Sequence, residues 1–172
     1  MYLKPMVSVE KGLVVVAGER SVLIPPSFIT LLQDRVMREK GEGWREIFYE
    51  AGKKAMESLA PTYKLLMLIP RNSASKKKLI EELVEIWSWM SCGRPEVTKI
   101  DLKNNHFVFR VYGSTIAKQY LGRGEMVCDY LAGMVAGGFG SVINESLKCK
   151  EVRCIANGDE FCEFEVTGVR HD

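Results

Sequence analysis

The sequence predicts an α+β fold, an antiparallel sheet packed against several helices and preceded by an N-terminal β-hairpin. Residues 106–112 alternate strictly, with Phe107, Phe109 and Val111 on one face and His106, Val108, Arg110 and Tyr112 on the other. Two further strand-like runs, 145–156 and 160–167, flank Asn157-Gly158, a dipeptide suited to a tight hairpin turn. Elsewhere apolar residues recur at helical spacing. Helices lying between an N-terminal strand pair and a C-terminal sheet make an α+β chain.

Taken in order, residues 7–16 form the first hairpin around Gly12, with Leu13-Val14-Val15-Val16 as its apolar return. Ser21 to Ile24 extends it, and Pro25-Pro26 ends it. Ser27 caps the first helix, whose inward face carries Phe28, Leu31, Leu32 and Val36. A second helix places Trp44, Ile47, Phe48, Ala51, Ala55 and Leu59 on one stripe. Gly52 inside it is unfavourable for a helix and marks tight packing against another element. Pro61 and Pro70 bracket TYKLLMLI, whose pattern fits neither helix nor strand. A third helix turns Leu79, Leu83, Ile86, Trp87 and Met90 inward and ends at Cys92-Gly93. Val97 to Leu102 is a strand, and Lys103-Asn104-Asn105 turns the chain into residues 106–112. The last helix spans about Glu125 to Phe139, with Val127, Leu131, Met134 and Val135 inward. Its Gly133 and Gly137, four apart, open one face to another backbone.

A chain of 172 residues is long enough to bury a core as one domain, residues 1–172, with the hairpin at about 1–24 and the core at about 25–167. Its 24 basic and 22 acidic residues are mixed along the chain, which leaves no electrostatic footprint for nucleic acid. The longest basic run, Lys76-Lys77-Lys78, reads as the solvated start of a helix. No apolar run approaches the roughly 20 residues that span a bilayer, and the N-terminus lacks the apolar segment of a secretory signal. A cytoplasmic protein is expected, and there cysteines serve metals or catalysis more often than disulfides.

Four of the five cysteines fall within the last 45 residues or so. Alternation sets Cys154 and Cys162 opposite each other across the last hairpin, on its apolar side. Cys128 lies in the first turn of the glycine-bearing helix, so three thiols converge. Three Cys with one further ligand make a structural zinc set, although no CxxC of a zinc finger is present. Three buried thiols, or a Cys154–Cys162 disulfide, are the other readings of the same residues. For the fourth zinc ligand Cys149 ranks first, with a bulge reversing the alternation before Cys154. His106 and Glu145 are the other candidates, and Cys92 is read as a core thiol.

The pattern Cys128-x4-Gly133-x3-Gly137, followed by Glu151-x2-Cys154-x3-Gly158-x3-Cys162-x-Phe164, closely resembles the 4-vinyl reductase domain family. SVLIPPSFITLL and IFYEAGKKA, around Tyr49 and Gly52, resemble that domain's opening, so the likeness covers roughly residues 20–167. The resemblance implies an α/β sandwich also found in haem-NO-binding sensors and in subunits of the TRAPP vesicle-tethering complex. It further implies kinship with the sensory domains of phenol- and toluene-responsive transcription activators, which bind small hydrophobic ligands, and with proteins linked to bacteriochlorophyll synthesis. In the aromatic sensors, zinc is held by three cysteines matching Cys128, Cys154 and Cys162, and by a glutamate upstream. The stretch taken here to align with that glutamate, Tyr112 to Ala117, has no acid, and Cys149 is the substitute.

Three functions compete. A binding module would hold a small apolar molecule between helices and sheet, with Trp87, Trp89, Phe107, Phe109 and Tyr112 as walls. His106 or Tyr130 would orient it. A reductase acting on a tetrapyrrole vinyl group would need a redox cofactor. No GxGxxG follows a strand, Gly137-Gly138-Phe139-Gly140 reads as a helix end, and no catalytic set stands out. A subunit of a protein assembly is the third reading. A homodimer is expected in every case, and the chain has no room for a helix-turn-helix or ATPase unit. Any signal would therefore be read by a separate protein partner.

Overall fold

The computed structural model describes residues 7–16, 19–67, 73–88 and 92–169. The N-terminal part holds β1 (Val7–Glu10), β2 (Leu13–Val16) and β3 (Glu19–Ser21), then α1 (Pro26–Lys40), α2 (Trp44–Met67) and α3 (Ser73–Ser88). The C-terminal part holds β4 (Arg94–Asp101), β5 (His106–Tyr112), α4 (Asp129–Ile143), β6 (Leu147–Arg153) and β7 (Cys162–Gly168). The strands form two antiparallel sheets, ordered β1-β2-β3 and β4-β5-β7-β6. The predicted hairpin thus gains a third strand, and its turn residues Lys11 and Gly12 both have positive φ, as a tight two-residue turn requires.

At the centre lies α4, buried almost all round from Leu131 to Gly140. The four-stranded sheet covers one side of it. Phe107, Phe109, Val111, Phe164 and Val166 point inward from β5 and β7, in the alternation the sequence predicts. Trp87 of α3 stacks on Phe139 of α4, with centroids 5.5 Å apart and rings 4° from parallel, and meets Phe109 edge-on at 5.6 Å.

Against the other side of α4 packs α2, and glycine makes that contact. Gly52 lies on the carbonyl of Tyr130, Gly133 on that of Tyr49 and Gly137 on that of Lys53, so a Cβ on any of the three would collide with backbone. This corrects the predicted α2 stripe. The buried positions are Trp44, Phe48, Gly52, Met56 and Ala60, spaced by four and centred on the glycine, while Ile47 and Ala51 face solvent. The helix also continues through Pro61 to Met67, where the sequence pattern is indecisive.

The orientation of α1 departs further from expectation. Phe28, Leu31 and Leu32 are exposed, and Thr30 and Gln33 are buried. Hydrogen bonds explain the reversal. The Gln33 side-chain amide donates to the Val127 carbonyl at 3.0 Å, and the Tyr120 hydroxyl donates to the Thr30 carbonyl at 2.9 Å. Arg123 pairs with Asp34 at 3.0 Å. These polar anchors fix α1 on the loop between β5 and α4, and the apolar stripe is left outside.

Smaller differences have local causes. α1 begins at Pro26 rather than after Ser27, because proline is tolerated in a first turn that needs no amide donor. β4 starts at Arg94 and carries a bulge between Val97 and Lys99. α4 begins at Asp129, which puts Cys128 at its N-cap. Trp89 and Met90 lie outside the described residues. No helix among the described residues is long and apolar enough to cross a membrane.

Replacing Gly133 by Ala should destabilise the fold by about 3 kcal/mol, since neither facing backbone can yield. A Cβ on Gly43 would meet nothing within 4 Å, and Gly43→Ala should cost well under about 1 kcal/mol. Urea denaturation midpoints of the two variants would separate the cases.

Candidate metal centre

Three elements deliver four acidic side chains to one point. Cys128 sits at the start of α4, Glu151 near the end of β6, Cys154 just beyond β6 and Cys162 at the start of β7. Their ligand atoms all lie within 4.8 Å of one another, and all four residues are buried. Local structure explains the convergence. The pairing of β6 with β7 shifts register between Glu151 and Arg153, a bulge that brings both Glu151 and Cys154 to the inner face. Beyond Cys154 the chain makes a 3-10 turn, Ile155–Asn157, in place of the predicted two-residue hairpin turn. The Cys154 carbonyl accepts from the amides of Asn157 (2.9 Å) and Asp159 (3.2 Å), and the Cys154 amide donates to the Asp159 carboxylate at 2.8 Å. Gly158, at φ +97, supplies the left-handed residue that this loop needs.

The separations fit a metal. Cys128 and Cys162 sulfurs are 3.8 Å apart, as are those of Cys162 and Cys154. A tetrahedral ion with bonds of about 2.3 Å to sulfur sets its sulfurs about 3.8 Å apart. No disulfide joins Cys128, Cys149, Cys154 or Cys162. One carboxylate oxygen of Glu151, Oε2, accepts the Cys128 amide at 2.9 Å, while the buried Oε1 has no hydrogen-bond partner among the described residues. A buried carboxylate oxygen left unpaired beside three thiols has the chemistry of a metal ligand.

Charge tells the same story. Burial pushes the Glu151 carboxyl up to about 9, and the neighbouring Cys154 adds to this. Cys154 is pushed well below an ordinary thiol by contacts from Cys128 and Cys162. Cys128 is pushed up by its contact with Cys154, by Cys162 and by burial. Cys162 is also raised: its contact with Cys128 favours the thiolate, but Cys154 and burial outweigh it. Four acids sharing protons in this way are suited to a dication, which replaces the protons and neutralises the charge. Cys128 also receives the start of α4, whose partial positive charge favours a thiolate. The Ser114 hydroxyl lies 3.7 Å from its sulfur.

Of the residues singled out in the sequence, Cys128, Cys154 and Cys162 come together, and Cys149 does not join them. Cys149 is buried on the same face of β6, two residues before Glu151 and hence about 7 Å further along the strand. Its amide donates to the Tyr49 hydroxyl at 3.1 Å. His106 lies on the outer face of the sheet, between Lys99 (2.9 Å) and Glu165 (3.0 Å), and Glu145 is exposed. The fourth group is Glu151, the first residue of the Glu151-x2-Cys154 motif, and not a residue near Tyr112. The bulge expected between Cys149 and Cys154 is present, and it turns Glu151 inward along with Cys149. Of the two, Glu151 stands nearer to Cys154, and that spacing was the signal for it.

Beside this centre is an apolar cavity of about 20 Å³ between α3, α4 and the sheet. Trp87, Phe109, Val111, Leu131, Met134 and Val135 line it, together with Cys92, Gly93 and Pro95. Phe107 belongs to the packed core and does not line it. Tyr112 is on the outer face, with Arg94 over its ring at 4.2 Å and Phe161 at 5.4 Å. Tyr130 is half-buried in the first turn of α4, away from the cavity lining.

Residues 107–168 match the family model of the 4-vinyl reductase domain. An uncharacterized protein of Methanocaldococcus jannaschii, MJ1460, is 32% identical over 105 residues, 60% of this chain and 59% of its own length. The chain thus spans less than two thirds of that relative. Among solved structures, the phenol-responsive sensory domain of the transcription activator PoxR, with phenol, superposes with a TM-score of 0.79 at 15% identity. The match covers 95% of this chain and 85% of that one. A vinyl-4-reductase family protein from M. jannaschii gives a TM-score of 0.58 at 24% identity, covering 87% and 85%. The same fold, at 12% identity, appears in trafficking protein particle complex subunit 3 from Naegleria fowleri (TM-score 0.63, covering 85% and 93%) and in an H-NOX protein from S. oneidensis (0.56, covering 87% and 78%). This chain therefore belongs to the 4-vinyl reductase domain family, matched over residues 107–168, and shares its fold with a phenol-responsive sensory domain, a trafficking-complex subunit and H-NOX proteins.

Proposed function

We propose that the chain is a single-domain, cytoplasmic sensor that binds a small hydrophobic ligand, is held together by a structural zinc, and works as a homodimer whose state a protein partner reads. The observation that carries this reading is the apolar cavity one helix away from a closed donor set. Cys128, Glu151, Cys154 and Cys162 would hold the ion. All four are buried, which leaves no open position for a reacting water, and the role is structural. The ion would supply folding free energy and fix β6, β7 and the start of α4 relative to one another.

The cavity is in a closed form. An apolar cavity of roughly 150 Å³ takes a benzene-sized ring, so a ligand must displace side chains to enter. Met134, flexible and polarizable, is the wall residue best suited to give way. The likeness to a phenol-responsive domain makes phenol the first probe. Phenol should quench or shift the fluorescence of Trp87 in a saturable titration. Met134→Ala should tighten that binding about tenfold by removing volume that the ring must otherwise displace. A linear, unsaturable response in both proteins would defeat the ligand reading.

Two measurements bear on the metal. Cys154→Ser should lose the zinc found by native mass spectrometry in the parent protein and melt far lower, since structural metal binding is folding energy. A variant of undiminished thermal stability would count against the site. Without metal at pH 7, Cys128, Cys162 and Glu151 are raised and hold protons while Cys154 has lost its own, so binding should release about three protons per zinc. Apparent affinity should therefore rise with pH until Glu151 has titrated at about 9. Calorimetry in buffers of different ionisation enthalpy reads the number directly, and a value near zero would exclude these four groups as ligands.

A further inference from the structure

α1 has two faces with opposite commitments. Its buried face, Thr30 and Gln33, is anchored by polar contacts to the loop that carries Cys128. Its outer face carries Phe28 and Leu31, 64% and 68% exposed, with Leu32 beside them. Val22 and Leu23, 78% and 75% exposed, and the exposed Ile24 continue the apolar surface along the segment leading into the helix. Phe28, Leu31 and Leu32 are spaced i, i+3, i+4 and form one stripe. A typical monomer's largest apolar patch is about 300–600 Å². Six large apolar residues at this exposure offer on the order of 600–800 Å², close to the roughly 800 Å² per partner of a standard stable interface.

We propose that this face, Val22 to Leu32, is covered by the same face of a second copy of the chain. The inference rests on the homodimer proposed above and names its surface. Charge argues for self-association. From Val22 to Gln33 no residue is charged. In a two-fold interface residues near the axis meet their own copies, so any charge there would face its like. A face that opposes itself must be neutral at its centre, and this one is. The charged side chains of α1, from Asp34 and the Arg35–Glu39 pair onward, lie beyond the stripe. Position adds a second argument. The surface belongs to the helix anchored directly on the Cys128 loop, so it is present whenever that loop is formed and needs a partner available in equal amount. The chain itself meets that requirement.

Sedimentation velocity over a range of concentrations tests the proposal with the full chain. The parent protein should sediment as a dimer. Leu31→Arg and Leu31→Glu should each be monomeric, with dimerisation weakened about 100-fold or more by like charges brought together. Mixing the two should restore a dimer, a result that misfolding cannot imitate. Val22→Glu, outside any helix or strand, provides an independent disruption free of any effect on α1 itself. A monomeric parent protein would overturn the proposal together with the homodimer. A dimer that survives Leu31→Arg and Val22→Glu would overturn this face and leave the homodimer standing elsewhere. Charge variants that stay apart when mixed would overturn the isologous arrangement. None of these outcomes touches the ligand reading, which the phenol titration tests alone.

Discussion

Four acidic groups within 4.8 Å of one another, shut away from water, place a condition on the C-terminal half of this fold. Burying one carboxylate and three thiols is tolerable only if protons stay on most of them or a cation replaces the protons. Every element of the sheet's end depends on which condition holds. Cys154 organises the 3-10 turn through both its amide and its carbonyl, and Cys162 begins β7. Cys128 joins α4 to the loop that anchors α1. The centre is thus a junction of the whole domain. It is also closed, which separates it from sites that bind and turn over substrate.

The polar anchors of α1 extend that junction across the molecule. Gln33 reaches the residue next to Cys128 over 94 positions of sequence, and Arg123 with Tyr120 secures the same helix. A buried glutamine is expensive unless its hydrogen bonds are made. It is therefore a selective lock. It accepts one rotation of α1 and rejects the one that would bury the leucines.

How much of this is legible in the sequence depends on whether the signal is local. The faces of β5 and β7 follow from period-two alternation, which each strand carries in itself. Cys128, Cys154 and Cys162 are legible because a helix start and two paired strand ends fall at predictable places. Glu151 is harder to read. Alternation with one bulge gives the inner face of β6, but both Cys149 and Glu151 lie on it. Thiol chemistry favours the cysteine, and only the distance along the strand selects the carboxylate. The face of α2 escapes a hydrophobic pattern because a glycine contributes nothing to a stripe, yet Gly52 is its centre. The face of α1 escapes it because an amphipathic pattern states which side is apolar and not which side is covered.

The contact of α2 with α4 has a mechanical meaning. Where side chains meet side chains, rotamer changes let an interface breathe. At Gly52, Gly133 and Gly137 backbone meets backbone, and no soft torsion stands between the two helices. α2 and α4 must then travel as one rigid unit. Any swelling of the small cavity is forced toward α3 and the sheet, whose walls are the mobile ends of Trp87, Met134 and Val111. The glycines thus choose the direction in which the domain can give, and strain created inside it will emerge at α3 and β4–β5 and not at the paired helices.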